Sequence, residues 1–279
     1  MRNPIAVVLP VLLLAGCTQL FFQPHRVQVL TPDRLGLAYQ VVRFPTADGL
    51  ELYGWFLPAE GDAAGTILHL HGNAENISTH IASVAWLPER GFNVFLFDYR
   101  GYGASEGQPT FDGAQKDIDA AMKTLLERSD VEKDRIVMYG QSLGGALAAY
   151  YVAHSPHRDR VRVLVLESAF SGYVDIVREK LADHWFTWPF QWLPQYTVDD
   201  GFSPLPSMAK ISPIPLLVLH GDQDLVVPVH HGKRLYEAAL EPKQLWIVPG
   251  AGHIQTMRSP VERDRLVAYL LKALDAGER

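Results

Sequence analysis

The sequence of 279 residues contains a single cysteine, Cys17, so no disulfide can form within the chain. It also lacks an excess of positive charge: 25 Lys and Arg stand against 31 Asp and Glu, which argues against a nucleic-acid-binding surface. No run of like charges, internal repeat or low-complexity tract is present. What remains is an ordinary globular composition, with 48% hydrophobic and 20% charged residues, which is sufficient for a sizeable core.

The first seventeen residues have the pattern of a secretion signal. One positive charge, Arg2, precedes an apolar run from residue 5 to 14, which is too short to cross a bilayer and suits the core of a signal peptide. Residues 14–17 read L-A-G-C and resemble the bacterial lipobox. In that motif the cysteine is lipidated and becomes the new amino terminus, and two or three acyl chains then hold the protein to a membrane.

The lipobox resemblance implies a signal peptide at residues 1–16, a lipidated Cys17 and a tether at residues 17–38. It also implies a lipid-anchored protein of the bacterial cell envelope. Thr18 is not the aspartate that holds such lipoproteins at the inner membrane, which favours the periplasmic face of the outer membrane. The alternative is an ordinary secretory signal, or a short membrane helix, whose cysteine occurs there by chance.

From residue 39 onward, short apolar runs alternate with helical stretches. Runs that predict strands occupy residues 41–44, 50–56, 66–70, 94–97, 135–139, 163–166, 215–219 and 244–248. Helices are predicted near 76–90, 111–128, 143–154, 229–240 and 260–275. Strands that are apolar throughout are buried on both faces, so we expect an α/β fold: a mostly parallel eight-stranded sheet with helices on both faces. Residues 169–212, rich in aromatics, interrupt this alternation and predict a cap inserted into a single domain, 39–279.

A candidate nucleophile lies between the fifth strand and the helix that follows it. Residues 140–144 read G-Q-S-L-G and fit the pattern G-x-S-x-G. Because so tight a strand-to-helix turn crowds its neighbours, both flanking positions must lack side-chain bulk. The helix N-terminus favours negative charge at Ser142. The pattern therefore predicts Ser142 as a nucleophile, and a glycine-rich turn with an idle serine is the alternative.

An acid and a base are expected further along the chain, each in the loop after a late strand. Asp222 and Asp224 both follow the seventh strand, and either could orient a histidine. His253 lies in a glycine-containing loop after the eighth strand and is the predicted base. His230 and His231 begin a helix instead and are expected at the surface.

Stabilising an oxyanion on an acyl carbonyl requires two fixed hydrogen-bond donors. The first expected donor is the backbone N–H of Leu143, the residue after the nucleophile. The second is expected in the loop after the third strand, and we assign it to the backbone N–H of Asn73. His71 is expected to brace this loop. His69 and His71 have H-x-H spacing but no Cys or Glu in ligand register, so neither a metal nor a cofactor is predicted.

Taken together, these motifs resemble the Bem46-type branch of the α/β-hydrolases, which includes the ABHD-type and serine aminopeptidase-like enzymes. The resemblance spans about residues 40–275, through H-G-N-A-E-N at 71–76, D-Y-R-G-Y-G at 98–103, G-Q-S-L-G-G at 140–145 and the two late loops. The family pattern G-x-x-D-x-x-V-P selects Asp224 over Asp222, which is left to hold its turn. The resemblance thus implies a triad of Ser142, Asp224 and His253, with residues 98–103 supporting the oxyanion loop.

The same resemblance implies a serine hydrolase that cleaves carboxylic esters or thioesters through an acyl-enzyme, with a small or lipid-like acyl ester as substrate. An acyltransferase or a small-peptide hydrolase would use the same triad, and a non-catalytic lipoprotein scaffold is the alternative from another class. In the cap, Trp185, Phe186 and Trp188 are candidate walls of an acyl-chain pocket. The alternative is that the aromatic cluster fastens the cap to the core.

Overall fold

The computed structural model describes residues 21–276, so the predicted signal peptide and Cys17 lie outside the described residues. The described residues form ten strands: β1 Gln23–Pro24, β2 Gln40–Pro45, β3 Glu51–Leu57, β4 Gly65–Leu70, β5 Ala74–Glu75, β6 Phe92–Asp98, β7 Ile136–Gln141, β8 Val161–Glu167, β9 Leu216–Gly221 and β10 Lys243–Val248. Eight of them form one sheet in the order β10-β9-β8-β7-β4-β6-β3-β2. These eight correspond to the eight predicted strands.

The central sheet is parallel except at one edge. β2 and β3 form an antiparallel hairpin, and β3 pairs antiparallel with β6, whereas every other neighbouring pair is parallel. The hairpin turn contains Gly49, whose φ of +85° is one that glycine adopts without strain. Since the parallel strands share a direction, the loops at their carboxyl ends gather at one edge of the sheet, which is where ligands bind in such folds.

Within residues 21–276, seven α-helices occur: α1 Ile77–His80, α2 Phe111–Glu127, α3 Leu143–His154, α4 Tyr173–Ala182, α5 Pro194–Thr197, α6 Val229–Ala238 and α7 Pro260–Asp275. Four predicted helices are confirmed, at α2, α3, α6 and α7. The helix predicted over 76–90 was wrong, because only the four residues of α1 are α-helical and short 3-10 turns follow at Ile81–Ser83 and Pro88–Arg90. Thr79, Ser83 and Pro88 are weak helix formers, and the proline lacks the N–H that a continuous helix needs.

Side chains alternate between two buried layers along the central strands. On β9, Val218 packs into one layer and Leu219 into the other. The first layer includes buried side chains of α2 and α3, and the second includes those of α7. Both faces of the sheet are therefore covered, which is why its inner strands are apolar throughout.

The residues before β2 pack against the domain. Phe21 and Phe22 are buried, and the Phe21 ring lies 4.9 Å from that of Tyr173. β1 then pairs in parallel with β5, in the loop after β4. The part of the predicted tether that the structure describes is thus attached to the domain at its start. No helix within residues 21–276 is long and apolar enough to cross a membrane.

Candidate active site

Ser142 stands in a strained turn between β7 and α3. Its backbone has φ +53° and ψ −117°, a conformation that costs about 1–3 kcal/mol and persists only where the surroundings enforce it. A Cβ at Gly140 would lie 2.4 Å from the carbonyl oxygen of Gly144, and one at Gly144 would lie 2.1 Å from that of Leu70. Only glycine fits at either position, so the two glycines are what allow the serine to be presented there.

Asp224 and His253 form a hydrogen-bonded pair at the ends of β9 and β10. His253 Nδ1 lies 2.8 Å from Asp224 Oδ2. The other carboxylate oxygen accepts from the N–H groups of Val226 and Val227, at 2.9 and 2.8 Å. Burial opposes ionisation of Asp224, but the bonds from His253 and the backbone outweigh it and lower the pKa of the carboxyl below its ordinary value. An ionised Asp224 requires the proton of a neutral His253 to sit on Nδ1, which leaves Nε2 free to accept a proton.

The neighbouring polar residues have other partners. Asp222 is exposed, and its Oδ1 accepts from the N–H of Gly250 at 2.7 Å, so it ties the β9 loop to the β10 loop. His220 Nε2 lies 3.6 Å from Asp224 Oδ2 and 2.8 Å from the Val227 carbonyl oxygen. Burial lowers the pKa of His220, which keeps its ring neutral beside the carboxylate. Of the two aspartates, only Asp224 contacts His253 directly among the contacts observed.

Ser142 and His253 line one cavity of about 590 Å³, within the usual size range for small-molecule sites. The oxyanion-donor candidates Leu143 and Asn73 line it as well. Most of the remaining wall is apolar, contributed by Phe21, Phe170, Ile176, Val177, Leu181 and Val226. A polar reactive group therefore sits on the wall of a hydrophobic chamber, an arrangement suited to a substrate with one reactive carbonyl and an apolar body.

The loop carrying Asn73 is held from two sides. The Tyr102 hydroxyl donates to the Asn73 carbonyl at 2.7 Å, and the N–H of Gln23 donates to the Asn73 side-chain oxygen at 2.9 Å. A Cβ at Gly72 would stand 3.6 Å from the Cβ of Ser142, so this loop passes directly against the nucleophile candidate. Tyr102 belongs to the segment 98–103, which thus contacts the oxyanion loop as its expected supporting role requires.

The three cap aromatics predicted to form an acyl pocket do not line the cavity. Trp185, Phe186 and Trp188 are 87%, 59% and 62% exposed. The cap contributes its wall mainly through α4, whose residues Ile176 and Lys180 are one turn apart on one face of the helix. The aromatics lie in the turn after α4 and at the start of the 3-10 helix Trp188–Phe190, and their side chains are mostly exposed, so they neither line this cavity nor belong to the buried core.

His231 is buried, contrary to the surface position predicted for it, and it joins the cap to α6. Glu179, His230 and His231 bring three metal-ligand atoms within 4.8 Å of one another. The N–H of Ser171, however, donates to His231 Nδ1 at 3.1 Å, which places the proton of the neutral ring on Nε2, facing Glu179 at the same distance. That proton occupies the position a metal would need, so the group serves as a hydrogen-bonded clamp on α4.

Several wall residues escaped the sequence-based prediction. Phe21 was assigned to the tether, and Ile176, Val177 and Leu181 to an aromatic cap of undefined structure. Val177 follows Ile176 directly, and Leu181 comes four residues after Val177, which is the spacing of an amphipathic helix. This spacing would have indicated an inward-facing apolar stripe on α4. For Phe21 the available signal was an aromatic pair, Phe21 and Phe22, in a segment of mixed polarity.

Comparison with known proteins places the chain in a family. The family model described as serine aminopeptidase S33 matches residues 61–204. The protein YfhR of Escherichia coli K12 is 39% identical over 241 residues, covering 84% of this chain and 81% of YfhR. The protein bem46 of Schizosaccharomyces pombe is 31% identical over 212 residues, covering 75% of this chain and 70% of its own length.

A solved structure supports the fold independently. The esterase Pf2001 of Pyrococcus furiosus superposes with a TM-score of 0.74 at 23% identity, covering 92% of this chain and 98% of that one. Identity at this level speaks to architecture alone. The family match and the relatives show that the chain is a hydrolase of the α/β-hydrolase superfamily and belongs to its Bem46-type branch.

Proposed function

We propose that the protein is a serine hydrolase that cleaves carboxylic esters or thioesters through an acyl-enzyme intermediate. The observation that carries the proposal is the Asp224–His253 hydrogen bond of 2.8 Å, on the same cavity wall as a serine held at φ +53°. A buried carboxylate, a histidine with a free Nε2 and a strained serine are the parts that nucleophilic acyl transfer requires.

The proposed reaction has two halves. In the first, Ser142 Oγ attacks the substrate carbonyl carbon while His253 Nε2 takes the hydroxyl proton. The bond from that carbon to the leaving oxygen or sulfur then breaks, and His253 returns the proton to the leaving alcohol or thiol. In the second, His253 takes a proton from water, the hydroxide attacks the acyl carbon, and the carboxylic acid leaves as the proton returns to Ser142.

Charge on the tetrahedral oxygen is stabilised by the backbone N–H groups of Leu143 and Asn73 in this proposal. Leu143 is the first residue of α3, where the helix dipole adds a favourable positive end. The contacts of Tyr102 and Gln23 on Asn73 favour a fixed orientation of its peptide before substrate arrives. Preorganised donors of this kind contribute more than donors that must reorient during the reaction.

The substrate is proposed to carry an apolar acyl chain, because the cavity wall is largely hydrocarbon. Lipidation at Cys17 would hold the enzyme on a membrane of the bacterial cell envelope, among lipid-derived esters. Neither a metal nor a cofactor is needed for the proposed steps, since the triad supplies nucleophile, base and electrostatic stabilisation.

The test compares the full chain with Ser142→Ala on p-nitrophenyl esters from acetyl to palmitoyl. We expect turnover in the wild type, a preference for medium or long acyl chains, and loss of activity in the variant by a factor of about 10⁴ or more. A fluorophosphonate probe should label the wild type and leave the variant unlabelled. If the wild type has a normal unfolding transition but shows no turnover above the variant and no labelling, the hydrolytic proposal is refuted and a non-catalytic lipoprotein is favoured.

Two further measurements separate the related activities. Added alcohol or amine acceptors that divert product from the acid to a new ester or amide would identify an acyltransferase. Release of amine from short peptide substrates at rates above those for esters would identify a peptide hydrolase. Hydrolysis of both oxygen esters and thioesters, with water as the acceptor, is the result we expect.

A further inference from the structure

The cap carries a concentrated exposed aromatic surface, which we call the cap face. Its members are Trp185, Phe186, Trp188, Phe190, Trp192 and Tyr196. Each is more than half exposed, and no other large aromatic side chain of residues 21–276 is exposed to that degree. Clusters of exposed apolar side chains mark interaction sites, because a free surface of this kind gains free energy when it leaves water.

The cap face borders the mouth of the active-site cavity. His184 and Thr187 line the cavity, and the exposed Trp185 and Trp188 are their immediate chain neighbours. The loop after β9, which also lines the cavity, presents Leu225, whose side chain is 86% exposed. A hydrogen bond of 2.9 Å from Lys180 Nζ to the Leu225 carbonyl joins that loop to α4. Anything that covers the cap face therefore meets the entrance of the cavity.

The predicted lipid anchor lies close in sequence to the wall of the same cavity. Phe21 is part of the cavity wall, and Cys17 precedes it by four residues. Since an extended chain spans at most about 3.6 Å per residue, four residues can separate the two by no more than about 14 Å. Acyl chains attached at Cys17 would therefore bring the membrane surface within this distance of the cavity wall.

The chemistry of the cap face fits a lipid bilayer. Three of the six tryptophans of the chain belong to it, and tryptophan and tyrosine prefer the membrane–water interface, where one end of the side chain is apolar and the other hydrated. Charges on α4 and the turn after it are nearly balanced, with Asp175, Glu179 and Asp183 against Arg178 and Lys180. Attraction to anionic headgroups is therefore minor, and aromatic burial supplies the binding free energy.

We propose that the cap face docks on the bilayer that holds the Cys17 anchor, so that the cavity opens at the membrane surface and takes its substrate, a lipid-derived acyl ester, from the bilayer. This inference rests on the proposed hydrolytic function and extends it to the source of the substrate. It gives the cap aromatics, which lie outside the cavity, a role in substrate access.

The test uses the full chain reconstituted into phosphatidylcholine vesicles whose acyl chains are brominated. Trp55, Trp86 and Trp246 are buried in the domain and out of reach of the quencher, whereas the three cap tryptophans enter the interface. Bromolipid should quench up to about half of the emission, with little change on adding salt. The triple variant Trp185→Gln, Trp188→Gln, Trp192→Gln should lose this quenching. Val41→Gln with Val261→Gln, at exposed positions away from the cap, is the matched control.

Activity provides the second readout. We expect the triple variant to keep wild-type turnover of a soluble short-chain ester and to lose at least about tenfold on an ester embedded in the vesicles, while the control loses neither. Docking of the cap face on the bilayer would be overturned if the full chain floats with the vesicles but its tryptophan emission is not quenched. It would also be overturned if the full chain does not float with the vesicles. A third result would also overturn docking on the bilayer: a wild type that self-associates in sedimentation and is not quenched by bromolipid, with self-association lost in the triple variant. That result would assign the cap face to contact with a second copy of the chain. Absence of soluble-ester turnover in the wild type would instead refute the proposed function.

Discussion

Replacing Asp224 by asparagine should remove most of the catalytic activity while leaving the fold in place. The carbonyl oxygen of the new side chain can still accept from the N–H groups of Val226 and Val227, which the carboxylate does at 2.9 and 2.8 Å. The amide group facing His253, however, donates where a carboxylate oxygen now accepts at 2.8 Å. The histidine must then place its proton on Nε2, the atom proposed to take the serine proton, and it can no longer act as a base.

The size of the loss follows from this tautomer change. A triad whose histidine holds the wrong tautomer loses about 10⁴-fold in kcat, equivalent to about 5.4 kcal/mol of transition-state stabilisation. The assay is steady-state hydrolysis of a soluble p-nitrophenyl ester at about pH 7.5, with thermal unfolding measured on the same samples. Fluorophosphonate labelling should slow by a comparable factor, because the serine loses the same base.

Asp222→Asn is the matched control. Asp222 is two residues away, on the same loop, and its bond of 2.7 Å is to the Gly250 N–H, which an asparagine oxygen can also accept. We expect its kcat/KM to stay within about threefold of the wild type and its stability to fall by less than about 1 kcal/mol. If Asp224→Asn retained more than a tenth of the activity, or if Asp222→Asn lost as much as Asp224→Asn, the assignment of the acid would be wrong.

Three further outcomes are expected. Gly144→Ala, whose new Cβ meets a backbone carbonyl of β4 at 2.1 Å, should destabilise the fold by about 3 kcal/mol or prevent folding, whereas Gly201→Ala should be tolerated, as thermal unfolding would show. Phe21→Ala should raise KM for long acyl esters because Phe21 lines the cavity, whereas Phe22→Ala should not, although both variants lose core packing. Equal effects on KM would contradict the placement of Phe21 in the cavity wall. Buried imidazoles whose pKa values are lowered stay neutral in the folded protein, whereas the unfolded chain takes up protons as the pH falls below about 6.5. The free energy of unfolding, measured with urea, should therefore fall between about pH 6.5 and 5, by up to about 1.4 kcal/mol per histidine and pH unit. A free energy of unfolding that does not change over this range would refute the prediction. These imidazoles are His69, His71, His220 and His231.

The sheet and the positions of the site candidates were predictable because each depends on local pattern. Strands buried on both faces must be apolar throughout, and the eight such runs are the eight strands of the sheet. The turn at Ser142 leaves no space for side chains beside it, which makes its glycines visible in the sequence. Carboxyl ends of parallel strands gather at one edge, so a serine after β7, an aspartate after β9 and a histidine after β10 were expected to meet.

The features that were missed depend on tertiary contacts. The stretch 76–90 holds four buried aliphatic side chains, at Ile77, Ile81, Val84 and Leu87, which is a helical spacing, yet it folds as a four-residue helix and short 3-10 turns. The cap aromatics were expected inside because large apolar side chains are usually buried. Nothing local in the sequence distinguishes a tryptophan that faces a cavity from one, like Trp185, that faces solvent.

The first described residues connect the predicted anchor to the reactive centre more directly than a tether would. β1 pairs with β5, the Asn76 side chain donates to the carbonyls of His25 and Val27 at 2.8 and 2.9 Å, and Gln23 contacts Asn73. Each of these bonds ends on the loop proposed to supply an oxyanion donor. An anchor at Cys17 would therefore pull on this loop as well, and the position of the domain on a membrane would be mechanically linked to the geometry of the proposed reactive centre. The packing of Phe21 and the pairing of β1 hold the described part of this segment on the domain.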